Sequence, residues 1–238
     1  MAGHRLKVVS TVVAAFTAAP AIAGGPFKAP DGCEVFATVQ MRSCQVSQHY
    51  RCAGEPGGNQ WAVYSDGDGP YFMSQIDAET RWIDSIDLFM GQRDHIIAEA
   101  DPASFTTLTA GGRDDYDFKT ESDNGEIRHY VGNDRLTGEK VVIDGITLER
   151  TKFEMAAMDE NGVMIWRRKG QQLISRDWRL FFGDKETFEN AEGEVVESTD
   201  TPVTFALPGE AGFLDNDPAY DCNVVDASFV PVVARQGS

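Results

Sequence analysis

The residues that could act as nucleophiles or as acids and bases do not form a known catalytic motif. The sequence contains neither Gly-x-Ser-x-Gly nor Ser-x-x-Lys, two patterns that mark serine nucleophiles. It also lacks His-Glu-x-x-His, so a zinc hydrolase of that kind is not indicated. Beyond the first 23 residues, three histidines are dispersed along the chain, namely His49, His95 and His129. His129 lies among apolar residues of an expected strand, where a histidine is most often structural. Because the motifs are missing and the histidines are dispersed, we expect no catalytic residue and no cofactor.

Two acidic stretches contain the oxygen ligands that calcium prefers, but neither has the spacing of a calcium loop. If residues 66–69 (Asp-Gly-Asp-Gly) began an EF-hand, Tyr71 would stand at its sixth position instead of glycine. Asp77 would stand at its twelfth position instead of glutamate. Residues 215–217 (Asp-Asn-Asp) lack further oxygen ligands at the spacing that a calcium loop needs. We therefore predict turns at both places and no metal site.

A basic segment stands out in a chain that is otherwise acidic. Residues 150–185 contain eight basic and five acidic side chains, whereas the whole sequence has 21 basic and 38 acidic ones. Adjacent strands that bring Arg167 or Lys169 near Arg176 and Arg179 would form a site for an anionic headgroup or a carboxylate. The alternative is that these long side chains cover a sheet face and pair with neighbouring acids. The eight basic residues are Arg150, Lys152, Arg167, Arg168, Lys169, Arg176, Arg179 and Lys185.

Residues 1–23 have the three parts of a secretory signal peptide. Arg5 and Lys7 give a basic start, and residues 8–19 form an apolar run of 12 residues. Residues 21–23 (Ala-Ile-Ala) then offer a small-residue cleavage site. The run is shorter than the roughly 20 apolar residues that span a bilayer, and no later segment comes close. We therefore expect an exported chain, most often periplasmic, otherwise secreted, with no transmembrane segment after cleavage.

Cleavage after Ala23 would leave 215 residues with a net charge of −19, because the leader holds two of the 21 basic and none of the 38 acidic residues. Such a charge argues against nucleic acids and anionic membranes as main partners. The length is sufficient for one β-rich domain with a buried core. We expect residues 24–238 to form that domain, with cysteine-containing strands in 24–100, a long meander in 105–189, and C-terminal strands and a tail in 201–238.

Four cysteines follow the leader, and an even number in an exported chain indicates two disulfides. A strand between Cys44 and Cys52 would separate them by about 26 Å, far beyond the roughly 7 Å that a disulfide allows. One of the three possible connectivities is thereby removed. A turn near residues 41–42 would bring Cys33 close to Cys52, so we favour Cys33–Cys52 together with Cys44–Cys222.

Apolar and polar residues alternate between tight-turn dipeptides such as Asn124-Gly125 and Asn161-Gly162, which predicts mainly β structure. Residues 101–103 (Asp-Pro-Ala) predict a short helix with Asp101 as N-cap and Pro102 at the first helical position, ending near Thr109. Residues 190–200 are expected to be an acidic connector. Strands are predicted over Glu34–Gln40, Gln45–Arg51, Trp61–Ser65, Tyr71–Ile76, Arg81–Leu88 (where a helix from Asp77 competes), 114–121, Ile127–Leu136, Glu139–Ile143, Ile146–Met158, Met164–Ile174, Trp178–Phe182, Val203–Leu207 and Val224–Val233.

The strand expected at Ile146–Met158 is longer than the usual five or six residues. A sheet of such strands twists and curls. We therefore predict a curled antiparallel meander, either an incomplete barrel or a sandwich, with one short helix and two disulfides.

A long antiparallel meander with few helices in an exported chain resembles the periplasmic lipoprotein-carrier family. The resemblance covers residues 105–189 and follows from this strand pattern. It implies an incomplete barrel around an apolar cavity that holds acyl chains. The cysteine-containing first hairpin departs from that family's pattern.

The pattern favours non-catalytic binding of a lipid or another apolar ligand on the concave face of the sheet. Arg167 or Arg179 would meet a ligand headgroup. Two alternatives stay open, a cell-envelope module that binds a protein through edge strands and its acidic surface, and a hydrolase that uses two carboxylates. The sequence does not identify that pair, because its separation depends on the fold. The expected apolar lining consists of Phe118, Phe153, Met155, Trp166 and Trp178.

Overall fold

The computed structural model of this protein describes residues 27–222. The predicted signal peptide and the predicted strand Val224–Val233 lie outside these residues. Within them, the chain forms one antiparallel sheet of thirteen strands with a single helix. This arrangement confirms the prediction of a mainly β protein with a curled antiparallel meander.

The elements are β1 (Cys33–Met41), β2 (Gln45–Cys52), β3 (Gln60–Asp66), β4 (Gly69–Ile76), β5 (Trp82–Asp87), β6 (Gln92–Asp101), α1 (Phe105–Gly111), β7 (Arg113–Ser122), β8 (Ile127–Ile143), β9 (Ile146–Met158), β10 (Met164–Ser175), β11 (Leu180–Asn190), β12 (Val195–Thr199) and β13 (Pro202–Ala206). Strands β1 to β11 each pair with the next strand in the chain, including β6 and β7, which α1 connects. β13 leaves this meander and pairs with β1.

One bent segment joins the two ends of the sheet. β12 pairs with β11 and β13 pairs with β1, and only Asp200 and Thr201 separate the two strands. The Asp200 N–H donates to the Asp184 carbonyl (2.8 Å), and the Arg42 N–H donates to the Thr201 carbonyl (3.1 Å). The Thr201 hydroxyl also donates to Asp184 Oδ1 (2.6 Å). The corner therefore curls the sheet into an incomplete barrel with an inner face.

The largest core cluster lies on this inner face and combines side chains from both ends of the sheet. Ala37 and Val39 come from β1, Leu173 from β10, Phe182 from β11 and Phe205 from β13. Burial of such apolar surface contributes about 25 cal/mol per Å² to folding. The curl is thus stabilised by packing between strands that are far apart in the sheet.

The outer face of β1 and β2 is covered by the C-terminal segment 207–222. The Gln40 amide donates to the Asp217 carbonyl (3.0 Å), and the Gln48 amide donates to the Asp215 carbonyl (2.6 Å). The Thr38 hydroxyl accepts from the Leu214 N–H (2.9 Å). These hydrogen bonds satisfy polar side chains that the segment buries.

Both favoured disulfides are present. Cys33 is directly opposite Cys52 in the β1–β2 register, as the hairpin predicted, and their Cα atoms are 3.9 Å apart. Cys44 in the β1–β2 turn is bonded to Cys222, with a Cα separation of 4.5 Å. Disulfides of this kind are typical of proteins outside the reducing cytoplasm.

The helix begins later than predicted. Asp101 is the last residue of β6, so it does not cap the helix. Ser104 is the N-cap instead, since its hydroxyl accepts the Thr107 N–H, and Gly112 ends α1 in the left-handed conformation. No helix within residues 27–222 has the length and apolar character needed to cross a membrane.

Four strand predictions need correction. β6 was not predicted, because its sequence begins with four polar residues and continues with three apolar ones, without alternation of the two types. The two strands predicted at Ile127–Leu136 and Glu139–Ile143 form one strand, β8, whose pairing with β9 shifts in register between Leu136 and Lys140. Trp178 lies in the β10–β11 turn rather than on a strand. The predicted acidic connector contains β12, which forms because β11 supplies a partner edge.

The two disulfides are expected to stabilise the fold unequally. In the chain-entropy description, the Cys33–Cys52 bond closes 19 residues and the Cys44–Cys222 bond closes 178. The corresponding stabilisations are about 3 and about 5 kcal/mol. Cys44→Ala/Cys222→Ala should therefore lower the urea midpoint more than Cys33→Ala/Cys52→Ala does. Equal or reversed losses in urea unfolding followed by circular dichroism would contradict this expectation.

Candidate functional site

A cavity of about 180 Å³ lies inside the curled sheet. It is slightly larger than a cavity of about 150 Å³ that can hold benzene, so it has room for a compact ring or a short chain. Strands from β2 to β11, together with α1, supply its walls. Most lining side chains are apolar or aromatic, and they include Trp82, Ile96, Phe105, Leu108, Tyr116, Phe118, Phe153, Met155 and Phe181.

Helix α1 covers part of this cavity and is held in place by Glu79 of the β4–β5 loop. Glu79 Oε2 accepts the Thr106 N–H (2.9 Å) and the Ser104 hydroxyl (3.0 Å). The Arg179 guanidinium in the β10–β11 turn donates to Glu79 Oε1 (2.7 Å). The helix is thereby fixed between two connections of the sheet, with Phe105 buried beneath it.

Two aspartates face each other across β7 and β8 in the cavity wall. Asp114 is opposite Asp134 in the strand register, and both line the cavity. Asp114 is buried, and its Oδ2 accepts the Ser104 N–H (2.7 Å). Asp134 is partly exposed as a residue, but its Oδ1 is buried and has no hydrogen-bond partner within residues 27–222. Neither carboxylate takes part in an ion pair of the described chain.

Burial raises the pKa of Asp134 to about 7, and the charge of Asp114 adds to the increase. Burial also raises the pKa of Asp114, although the hydrogen bond from the Ser104 N–H acts in the opposite direction. Two carboxylates that face each other without a cation cannot both ionise easily. The pair therefore retains a proton up to about neutral pH.

The ring of Tyr116 packs against β8 beside this pair because position 132 is a glycine. A Cβ atom on Gly132 would be 2.6 Å from Cε2 of Tyr116 and 2.7 Å from its hydroxyl oxygen. Burial raises the pKa of Tyr116, and the charges of Asp134 and Asp114 add to the increase. The phenol is therefore neutral and contributes an aromatic face with one polar atom to the cavity.

The cavity meets a wider groove of about 2460 Å³ at Arg168 and Glu186. Both residues and Phe153 line the cavity as well as the groove. Arg168 Nε lies 3.4 Å from Glu186 Oε1, and the guanidinium is 4.9 Å from the centre of the Trp166 ring. This ion pair, in which Arg168 Nε makes no hydrogen bond within residues 27–222, marks the junction between the apolar cavity and the open groove.

The structure brings three of the five predicted lining residues together in the cavity. Phe118, Phe153 and Met155 all line it. Trp166 packs against the same aromatic cluster as Phe118 and Met155, next to the junction with the groove. Trp178 is not part of the cavity lining and packs instead against the core between β1, β11 and β13.

The two arginines predicted for a headgroup are not brought together. Arg167 faces outward, where it pairs with Glu189 (2.6 Å). Successive residues of a strand face opposite sides, so Arg168 is the one that faces inward. Arg179 pairs with Glu79 (2.7 Å). All five arginines of the basic segment form ion pairs with carboxylates, which agrees with the alternative interpretation of that segment.

The three histidines occupy separate places. His49 is buried, its Nε2 lies 2.9 Å from the Ser47 hydroxyl, and burial lowers its pKa to about 4, with the charge of Arg51 adding to the decrease. His129 Nε2 lies 2.7 Å from Asp117 Oδ1, and His95 is exposed. They do not converge on one site.

The acidic stretches form turns in which a carboxylate accepts a backbone N–H. Asp66 accepts from the Asp68 N–H (2.8 Å), and Asp215 accepts from the Asp217 N–H (3.1 Å). Within residues 27–222, no group of three or more histidine, cysteine, aspartate or glutamate side chains could hold a metal ion.

Sequence reasoning missed Asp114 and Asp134, although one signal was present. Residues 114–122 alternate, and Asp114 falls on the same side as Tyr116 and Phe118, which are buried. Asp134 has the same relation to the buried Tyr130 on β8. An acid on the apolar side of a strand is the pattern that could have identified the pair.

No family model, no curated protein and no solved structure matches this chain. The resemblance to the periplasmic lipoprotein-carrier family therefore stays a prediction. The functional argument depends on the geometry and chemistry of the cavity.

Replacing Asp134 should stabilise the protein at alkaline pH. The folded-state pKa of Asp134 is about 7, above its ordinary value of 3.8, so its stabilising proton is lost as the pH rises through about 7. Asp134→Asn should raise the free energy of unfolding at pH 8, on the order of 2–4 kcal/mol. The gain should shrink as the pH falls to 4.

The outward-facing Asp115, which pairs with Arg113, provides the matched control. Asp115→Asn should leave the melting temperature at pH 8 unchanged or lower it slightly.

His49 changes stability with pH in the opposite direction, because its folded-state pKa is below 6.5 and stability is lost as the pH falls through about 4. Since all variants retain His49, its effect cancels in the comparison. A pH-independent difference between Asp134→Asn and wild type would contradict the assigned pKa.

Proposed function

We propose that this protein binds a lipid or another apolar small molecule inside the curled sheet. The observation that carries the proposal is the cavity lined by Phe118, Phe153 and Met155, which continues into an open groove. Ligand sites are usually concave and mainly apolar, with a few polar groups that orient the ligand. The cavity suits a ring or a short chain, and the groove provides space for a longer one.

We also propose that binding takes place after export, with the periplasm as the favoured compartment. The basic start, apolar run and Ala-Ile-Ala site of residues 1–23 support export, and the two disulfides fit an oxidising environment. The hypothesis of a protein-binding module stays a prediction, since no surface feature described above selects a partner.

The direct test is native mass spectrometry of protein purified from the periplasm of a bacterium that expresses the full chain. We expect the mass of residues 24–238 with two disulfides, plus an added mass that denaturation releases as an apolar molecule. The same protein should bind a neutral naphthylamine dye saturably and with one site.

Two alanine substitutions separate the cavity from the surface. Ala103 lines the cavity, whereas Ala98 is exposed on β6. Ala103→Leu should fill part of the cavity and weaken dye binding about tenfold, which corresponds to about 1.4 kcal/mol. Ala98→Leu should bind like the wild type. Equal dye binding by both variants would place the dye elsewhere, and a bare mass together with no saturable dye binding would refute the proposal.

A hydrolase is the second candidate, and the facing pair Asp114 and Asp134 favours it. A carboxyl with a pKa near 7 can act as a general acid at neutral pH, and Asp114 beside it provides a second carboxyl group. A panel of nitrophenyl glycosides and esters tests it. Turnover should fall at least about a hundredfold in Asp134→Asn and decline above pH 7 in the wild type. Unchanged turnover in that variant would assign the activity to other residues or to a contaminant.

A further inference from the structure

The cavity wall contains a pair of carboxylates that no cation of the described chain neutralises. Asp114 and Asp134 are directly opposite each other on β7 and β8, and neither forms an ion pair within residues 27–222. Asp134 lines the cavity, and its Oδ1 is buried and has no hydrogen-bond donor within residues 27–222. A buried acceptor of this kind costs stability unless a ligand or a proton satisfies it.

The cations that line the cavity are already engaged. Arg81 pairs with Glu99 (2.9 Å) and also with Asp77 (2.5 Å). Arg168 lies 3.4 Å from Glu186 at the junction with the groove. Pairing of these arginines leaves the two aspartates as the unbalanced charge of the cavity.

The remaining groups near the pair do not supply a positive charge. α1 contains no charged residue, and β3 and β4 contribute only neutral side chains to the cavity. His49 on β2 is neutral above about pH 4, because burial lowers its pKa. Glu79 of the β4–β5 loop is negative and is paired with Arg179 (2.7 Å).

Aromatic faces stand next to these carboxylates. Tyr116 lies two residues from Asp114 on β7, and Phe118 follows on the same side of the strand. Trp82, which is 45% exposed, meets the Phe118 ring edge to face with 6.2 Å between ring centres. Aromatic faces attract cations, and they attract them more strongly in a site that excludes water.

We propose that the apolar ligand of this cavity carries a protonated amine, which donates a hydrogen bond to the Asp134 carboxylate and is neutralised by the Asp114–Asp134 pair. This inference depends on the proposed function, since it names the chemical class of ligand for the same cavity. The volume of about 180 Å³ limits the enclosed part to a compact amine, such as one joined to a single ring. The basic segment predicted an anionic headgroup, but two neighbouring carboxylates would repel an anion.

The test compares three probes of similar size, titrated calorimetrically into the full oxidised protein at pH 8. They are 2-phenylethylamine, 2-phenylethanol and phenylacetate. An alkylamine is protonated at this pH, as lysine is. We expect the amine to bind at least about tenfold more tightly than the alcohol, and the carboxylate not to bind.

Variants assign the preference to the aspartate pair. In Asp134→Asn, amine affinity should fall to the level of the alcohol, while the alcohol affinity stays the same. Glu192→Gln removes one negative charge from the exposed β11–β12 turn, and it should retain the amine preference. In the wild type, amine affinity should be about tenfold weaker at pH 6 than at pH 8, because protonation of Asp134 competes with the amine. This pH titration supplies the same test if Asp134→Asn does not fold.

Three results would overturn the inference. In the first, the alcohol binds as tightly as the amine. In the second, Asp134→Asn retains the preference for the amine. In both cases the cavity still binds an apolar molecule, so the proposed function would stand. Competition of Ca²⁺ with the amine at micromolar concentration would identify a metal site instead. If none of the probes binds, the naphthylamine dye distinguishes the two proposals. Dye binding that is weakened by Ala103→Leu would refute the amine inference and leave the proposed function standing.

Discussion

The pairing of one bent segment with both ends of the sheet is the constraint on which the rest of this structure depends. A flat sheet of thirteen strands would expose two long edges and one broad apolar face. Asp200 and Thr201 connect β12, which pairs with β11, to β13, which pairs with β1. The two ends of the sheet are therefore held close together, and the inner face curls on itself. Asp184 supports this corner with its carbonyl and its carboxylate. Without the curl there would be neither a shared core nor a cavity between the strands.

The interior created by this curl combines tight packing with polar groups that reduce stability. The inner surface between β1, β11 and β13 is filled with apolar side chains, as an ordinary core is. Farther along the barrel, Arg168 and Glu186 balance each other, whereas Asp114 and Asp134 have no cationic partner in the described chain. Natural proteins accept such destabilising groups mainly where binding or chemistry needs them. The charge without a cationic partner therefore lies in the part of the interior that contains the cavity.

The parts of the fold that could be predicted from the sequence are those set by local interactions. Alternation and tight turns identified most strands, and the register of the first hairpin placed Cys33 opposite Cys52. β12 and β6 could not be predicted, since they owe their conformation to partner strands rather than to their own residues. Phe118, Phe153 and Met155 could be assigned to the cavity from their size and position. The opposition of Asp114 to Asp134 arises only once the β7–β8 register is known.

The pairing of β1 with β13 also determines the order in which the molecule can be completed. As the chain is synthesised, Cys33 and Cys52 become available early, because 19 residues separate them. Cys44 and the free edge of β1 must wait for residues that lie more than 150 positions further along. Contacts of such long range slow folding, and an unpaired strand edge invites association with other chains in the meantime. The Cys33–Cys52 disulfide can therefore constrain the first hairpin early, whereas the Cys44–Cys222 disulfide requires nearly the whole described chain.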